Sequence, residues 1–203
     1  SRRALEHEAE GLRHAIRLEV QKAYTNAQSA RDRTRLFEDQ ILAQAIHDVM
    51  YPYLQIAVPV PDTQFIQAMY DAGAKGYFDA LGVHVAGYKA SPEMDPGQVA
   101  TDPNFYNVGD VNCPGDACRI YCFRHVEDLR QIMVDNGDSR KRVVVLEFGW
   151  TRDERPDSPY AWHRVDDQFM QGDYMVRAYE YARQNWKPWI AVMSLIYMPD
   201  AKW

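Results

Sequence analysis

The chain has 203 residues, a formal net charge of −6, 46% hydrophobic and 12% aromatic residues. This composition is ample for a folded core and argues against a disordered chain. Because the two signs of charge are interspersed, we expect no nucleic-acid partner, and because no apolar run reaches roughly 18 residues, we expect no membrane span.

Residues 1–49 are predicted to form a long helical arm. Between Leu5 and Val49 there is no proline and one glycine, and apolar or small residues recur in steps of three and four. This nearly heptad pattern with one stutter predicts a long amphipathic, coiled-coil-like helix with a narrow seam. The alternative is an ordinary amphipathic helix, or two helices broken near Gly11 or Asn26. The seam positions are Leu5, Ala9, Leu12, Ile16, Val20, Ala23, Ala27, Ala30, Thr34, Phe37 and Ile41.

Residues 50–203 alternate between apolar runs and helical patterns, which is typical of a parallel α/β domain. Residues 85–121 are rich in Gly, Pro, Asp and Asn and are predicted to form a long loop that lines a site. The predicted strands are 53–60, 77–84, 142–148 and 189–197, and the predicted helices are 64–71, 123–136 and 168–185.

Polar side chains lie at the carboxyl ends of these strands, where parallel α/β structures place their working residues. They are His84, Glu147 and Tyr197. The carboxylate of Glu147 directly follows a run of aliphatic residues, and a carboxylate there is costly unless something uses it or pairs with it. No Gly-x-Gly-x-x-Gly and no Gly-Lys-Ser/Thr loop occurs, so the sequence supports no nucleotide fold and no cofactor is expected.

The three cysteines, Cys113, Cys118 and Cys122, lie in one ten-residue window without zinc-ligand spacing, so no metal site is expected. A loop disulfide between Cys113 and Cys118 and three unpaired thiols are the two interpretations.

Several motifs together resemble the carboxyl-terminal half of a clan A glycoside hydrolase, near its cellulase-like and family 39-like bacterial branches. The resemblance covers about residues 50–203 and implies strands five to eight of a retaining (β/α)8 barrel. The motifs are FDALGVH (78–84), HVAGYKASPE (84–93), FRHVEDLR (123–130), LEFGW (146–150), YAWH (160–163) and NWKPWI (185–190).

The resemblance assigns roles to individual residues. Glu147 falls on the position of the nucleophile, which attacks the anomeric carbon and forms a glycosyl-enzyme ester. His84 falls on the residue that orders the nucleophile region. The alternatives are a structural Glu147, paired with Arg152 or a histidine, and a structural His84. The family follows that histidine with Pro-Tyr, which Val85-Ala86 replaces here, so Tyr88 is the candidate for the missing tyrosine. The predicted sugar-binding residues are His84, Tyr88, Trp150, Trp162 and Tyr197.

The second carboxylic acid of a retaining hydrolase is missing from the pattern. In this clan it follows an Asn, and no Asn-Glu occurs in the sequence; Glu93 and Glu154 are loop residues that could reach the site. The predicted function is therefore retaining hydrolysis of a β-linked glycan, with the acid supplied by another chain or by a missing amino-terminal barrel half. The expected location is extracellular or periplasmic, in a bacterium.

Residues 2–45 weakly resemble the long periplasmic helices of outer-membrane efflux channels, through RRALEHEAE (2–10), IRLEVQKAYTN (16–26), Ser29-Ala-Arg31 and QILAQA (40–45). This favours an alternative function: a non-catalytic assembly component with a helical arm and a degenerate glycan-binding module.

Overall fold

The computed structural model describes residues 2–36, 40, 61–107, 115–152, 155–158, 161, 163–165 and 167–196. Within them lie five α-helices and three β-strands, joined by short 3-10 turns at Ala74–Gly76, Gly115–Ile120 and Phe123–His125. The helices are α1 (Arg2–Leu36), α2 (Asp62–Asp71), α3 (Pro96–Thr101), α4 (Val126–Asp135) and α5 (Gln168–Asn185); the strands are β1 (Ala80–Ala86), β2 (Arg142–Gly149) and β3 (Ile190–Leu195).

The strands form one parallel sheet in the order β1-β2-β3. The predicted half barrel of strands five to eight is therefore wrong, because the described residues form a mixed α/β fold with a three-stranded sheet. The predicted strand at 53–60 lies outside the described residues. Strand and helix alternation predicts parallel pairing, but the number of strands and the tilt that closes a barrel depend on tertiary packing.

The long helix predicted at the amino terminus is present as α1, which runs without a break from Arg2 to Leu36. Gly11 and Asn26 both lie inside it, so neither residue divides the arm. None of the helices among the described residues is long and apolar enough to cross a membrane.

The predicted loop at 85–121 contains more regular structure than its composition indicated. Helix α3 begins with a capping box, in which the Asp95 side chain accepts a hydrogen bond from the backbone N–H of Gly97 and Gln98 bonds back to Asp95. Pro96 occupies the first helical position, where its missing N–H is not needed. The helix buries Val99 in a small cluster with Ala90, Cys118, Tyr121 and Cys122.

The main hydrophobic core lies on one face of the sheet. Val83 and Val85 of β1 and Val143, Val145 and Phe148 of β2 point into it. Helices α2, α4 and α5 cover this face; the residues that they bury there include Ile66, Tyr70, Val126, Leu129, Met133, Ala178 and Ala182. The opposite face of the sheet, as far as the structure describes it, carries exposed side chains such as Leu146 and Val192.

A buried histidine joins the amino-terminal ends of α2 and α4. His125 is 3% exposed, and its Nε2 lies 3.0 Å from the Asp62 carboxylate while its Nδ1 lies 3.1 Å from Asp128. Arg119 donates to the other oxygen of Asp128. Burial lowers the pKa of His125, but hydrogen bonds to Asp128 and Asp62 outweigh it and raise the pKa to about 9. The ring therefore carries a proton at neutral pH and joins two helices through a paired charge.

This pairing makes stability depend on pH in the alkaline range. The pKa of His125 rises from about 6.5 in the unfolded chain to about 9 in the fold. Its contribution is therefore fully present below pH 6.5 and is lost as the pH rises through about 9. We expect the free energy of unfolding to fall by on the order of 2–3 kcal/mol across this range.

Urea denaturation at several pH values measures the effect. His125→Gln removes the titration and should flatten the profile between pH 6.5 and 9.5, whereas the same change at the exposed His84 should leave the slope in place. A wild-type profile that is flat over that range contradicts the assignment.

Candidate functional site

A β-bulge in β2 determines where Glu147 points. Val83 of β1 is paired with Val145, but the next residue of β1, His84, is paired with Glu147, so Leu146 is an extra residue in β2. Regular alternation would place residues 143, 145 and 147 on one face, with Glu147 in the core. The bulge instead leaves Leu146 and Glu147 exposed and buries Phe148. Bulges re-aim side chains in this way.

The bulge brings the two principal predicted residues together. His84 Nδ1 lies 3.3 Å from Glu147 Oε2, and the two side chains remain 61% and 47% exposed. They lie in the carboxyl-terminal halves of adjacent parallel strands, at the position expected of working residues in parallel α/β structures. The pair combines an accessible carboxylate with an imidazole that can orient it.

Trp150, a predicted sugar-binding residue, is 4% exposed. Its indole Nε1–H donates to the backbone carbonyl of Ala90 at 2.8 Å. The ring packs against aromatic neighbours, with centroids 5.5 to 6.5 Å away, namely Tyr174, Phe123 and Phe148. Trp150 thus holds the start of the loop after β1 against the end of β2. The faces of its indole ring lie in the core.

Gly87 is required by this arrangement, because a Cβ at residue 87 would lie 1.9 Å from Cε2 of Trp150. The backbone N–H of Gly87 also bonds to the carbonyl of Gly149 at 2.8 Å. This close packing continues the contact between β1 and β2 past the end of the sheet.

Tyr88, another predicted sugar-binding residue, follows with a φ of 52°, a left-handed conformation that bulky residues rarely adopt. Its half-buried ring packs edge-on against Tyr121 and His163, with centroid distances of 4.9 and 5.2 Å. Burial lowers the pKa of His163, and the charge of Lys89 lowers it further. The imidazole of His163 therefore lies beside the ring of Tyr88, which also contacts Tyr121.

Glu93, considered as the missing acid, is held in an ion pair. Its carboxylate accepts from Nε and Nη2 of Arg177 on α5, at 2.9 and 2.5 Å. Partial burial raises the pKa of Glu93, but the hydrogen bonds from Arg177 outweigh it, and the pKa lies below its ordinary value. A general acid requires the opposite shift, so Glu93 is not suited to that role.

The remaining predicted residues are only partly described. Trp162, Tyr197, Glu154 and Cys113 lie outside the described residues. Cys118 is part of a disulfide, whereas Cys122 is a free thiol whose pKa burial raises to about 12. Within the described part of the chain, no group of three or more His, Cys, Asp or Glu side chains is arranged to hold a metal ion.

Comparison with known proteins finds no matching family model, no matching curated protein and no matching solved structure. The resemblance to glycoside hydrolases therefore depends on the sequence motifs alone.

Sequence reasoning did not select His163, Tyr121 or Gly87 as site residues. His163 ends the YAWH motif, and Gly87 lies inside HVAGYKASPE, so both were part of recognised motifs. The sequence indicates the bulge only weakly. Regular alternation would bury the carboxylate of Glu147 and expose the large apolar Phe148, and this conflict indicates an extra residue in the strand.

Substitution of Gly87 tests the packing against Trp150. We expect Gly87→Ala to destabilise the fold by about 1–3 kcal/mol or more, because the new methyl group must displace Trp150. The matched change Gly172→Ala, in α5 where nothing lies within 4 Å, should stabilise the fold by about 0.5–1 kcal/mol. Thermal and urea unfolding of both variants measure the difference; equal effects contradict the packing argument.

The His84 and Glu147 pair should contribute little to stability. Exposed ion pairs contribute about 0–1 kcal/mol, so His84→Ala and Glu147→Gln should each change the free energy of unfolding by less than about 1 kcal/mol. Urea denaturation at pH 7 provides the measurement. A loss of several kcal/mol in either variant indicates that the pair is structural and contradicts its assignment as a functional site.

Proposed function

We propose that this protein takes part in the retaining hydrolysis of β-glycosidic bonds, with Glu147 as the nucleophile. The observation that carries the proposal is the accessible carboxylate of Glu147, held 3.3 Å from His84 on the open face of a parallel sheet. The motifs around both residues, which resemble those of clan A glycoside hydrolases, support the same chemistry.

The chemistry has two steps. The carboxylate of Glu147 attacks the anomeric carbon, the glycosidic C–O bond breaks, and an ester joins the sugar to the protein. Water then cleaves the ester and releases the sugar with its original configuration. The proposal assigns His84 the orientation of the carboxylate through both steps, because its Nδ1 lies 3.3 Å from Oε2.

The first step needs an acid that protonates the departing oxygen, roughly 5 Å from the nucleophile. The proposal assigns this acid to another chain, because Glu93 is paired with Arg177 and the sequence lacks the Asn-Glu of the family. The ligand is a carbohydrate. The disulfide at Cys118 supports an extracellular or periplasmic location, since disulfides persist in oxidising compartments.

A mechanism-based label tests the nucleophile without the missing acid. The probes are 2-deoxy-2-fluoro β-glycosides of several sugars with a dinitrophenolate leaving group, which departs without protonation. We expect intact-protein mass spectrometry to show one added fluoroglycosyl group, and peptide mapping to place it on Glu147. The label is expected because the fluorine slows hydrolysis of the ester and so allows it to accumulate.

Variants provide the controls. Glu147→Gln should abolish labelling, Glu180→Gln, an exposed change on α5, should leave it intact, and His84→Ala should slow it at least tenfold. Absence of label with every sugar on a folded sample, or label at another residue, contradicts the proposal.

A second candidate function is a non-catalytic assembly component that binds a glycan. The exposure of α1 over residues 10–35 favours it, because a long helix with an uncovered apolar stripe is typical of chains that associate. Unlabelled protein that still binds an oligosaccharide, with equal affinity in the wild type and in Glu147→Gln, would favour this function over the first.

A further inference from the structure

The turn Gly115–Ile120 connects a disulfide to the buried charges at the start of α4. Cys118 of this turn is disulfide-bonded and 1% exposed, and it packs in one cluster with Val99 of α3 and with Tyr121. The next residue, Arg119, reaches from the turn to α4. The disulfide therefore fixes the backbone from which Arg119 extends.

Arg119 makes a bidentate contact with Asp128. Its Nε donates to Oδ2 at 3.0 Å and its Nη2 donates to Oδ1 at 2.6 Å. Its Nη1 lies close to the start of α3, because a Cβ on Gly97 would be 3.2 Å from it. A bidentate pair of a planar guanidinium and a carboxylate requires a fixed placement of both groups. The order of the turn thus determines how well Arg119 holds Asp128.

One oxygen of Asp128 is shared between two cations. Its Oδ2 accepts from Arg119 at 3.0 Å and lies 3.1 Å from Nδ1 of His125. The buried ring of His125 contacts Asp62 of α2 through its other nitrogen. Because the two cations compete for one oxygen and repel each other, a weaker hold by Arg119 leaves Asp128 more fully to His125.

Other ionisable groups near His125 do not take part in this competition. The thiol of Cys122 accepts from the backbone N–H of His125, and Arg124 pairs with Glu127 at 2.8 Å. Strand β1, which packs against the turn of His125, carries its histidine on the exposed face of the sheet. The charge of the ring is thus balanced by its two aspartates and modulated by Arg119.

The free thiol of Cys122 does not exchange with the disulfide within the fold. Cys122 is 0% exposed, and burial raises the pKa of its thiol to about 12. Because the thiolate is the form that attacks a disulfide, Cys122 is inert near neutral pH. The disulfide therefore responds to an added dithiol without rearranging.

We propose that Arg119 couples the disulfide at Cys118 to the buried charges around His125, so that reduction of the disulfide moves the alkaline transition of the fold to higher pH. A dithiol supplies two electrons and two protons: the S–S bond breaks to give two thiols, and the dithiol closes to a cyclic disulfide. The turn then keeps only its packing, Arg119 loses its fixed placement, and Asp128 binds His125 more strongly. This coupling does not depend on the glycosidase proposal.

An NMR titration of the His125 ring in the full chain tests the coupling. Reduction with dithiothreitol should raise the pKa of His125 from about 9 by about half a pH unit or more, so the stabilisation by this group should be lost at higher pH. Alkylation and mass spectrometry show that Cys118 has become a free thiol. In the oxidised chain Arg119→Gln should give a similar rise, whereas Arg183→Gln, at an exposed position of α5, should give none.

The combination of both changes distinguishes coupling from a merely structural disulfide. Reduction of the Arg119→Gln chain should produce no further shift in the pKa of His125, because both changes act through the same guanidinium. A pKa that reduction does not move, an equal shift on reduction in the wild type and in Arg119→Gln, or unfolding of the reduced chain at pH 7 overturns the proposal.

Discussion

The bulge at Leu146 is the constraint on which the candidate site depends. Without it, Glu147 would share a face with Val143 and Val145, inside a core where an unpaired carboxylate costs several kcal/mol. One extra residue in β2 moves the carboxylate to the open face and turns Phe148 inward in the same step. The same bulge therefore places Phe148 in the core and Glu147 in the candidate site.

The aromatic residues at the carboxyl end of β2 hold this irregular strand end in place. Phe148 and Trp150 pack with Phe123, and Trp150 also reaches across to the carbonyl of Ala90. Because Gly87 has no side chain, the indole of Trp150 can approach the backbone of residue 87. The loops after β1 and β2 are thereby joined at the carboxyl ends of the strands that carry His84 and Glu147. A tryptophan that the motif suggested for sugar binding thus contributes to the site by positioning.

The two parts of the chain differ in how they are stabilised. The sheet domain buries its strands against α2, α4 and α5 and ties helix ends together through His125 and its two aspartates. Helix α1 lacks comparable burial over residues 10–36. Its apolar residues recur at a regular spacing, whereas turns interrupt the apolar pattern of the sheet domain. Both the open sheet face and the helix stripe leave apolar surface for contacts with other molecules.

The sequence by itself determined the local elements. Apolar periodicity predicted α1, and alternating patterns predicted four strands with helices between them. Three of these strands lie in the described residues, within a few residues of the predicted bounds, because these signals depend on neighbours along the chain. It also selected His84 and Glu147, whose positions at strand ends follow from the same patterns.

Only the tertiary structure decided the rest. The three-stranded sheet in place of a half barrel, the bulge that turns Glu147 toward His84, the burial of Trp150 and the ion pair that occupies Glu93 all depend on contacts between residues distant in sequence. Such contacts are set by packing and register across the whole domain, which no short window of residues contains.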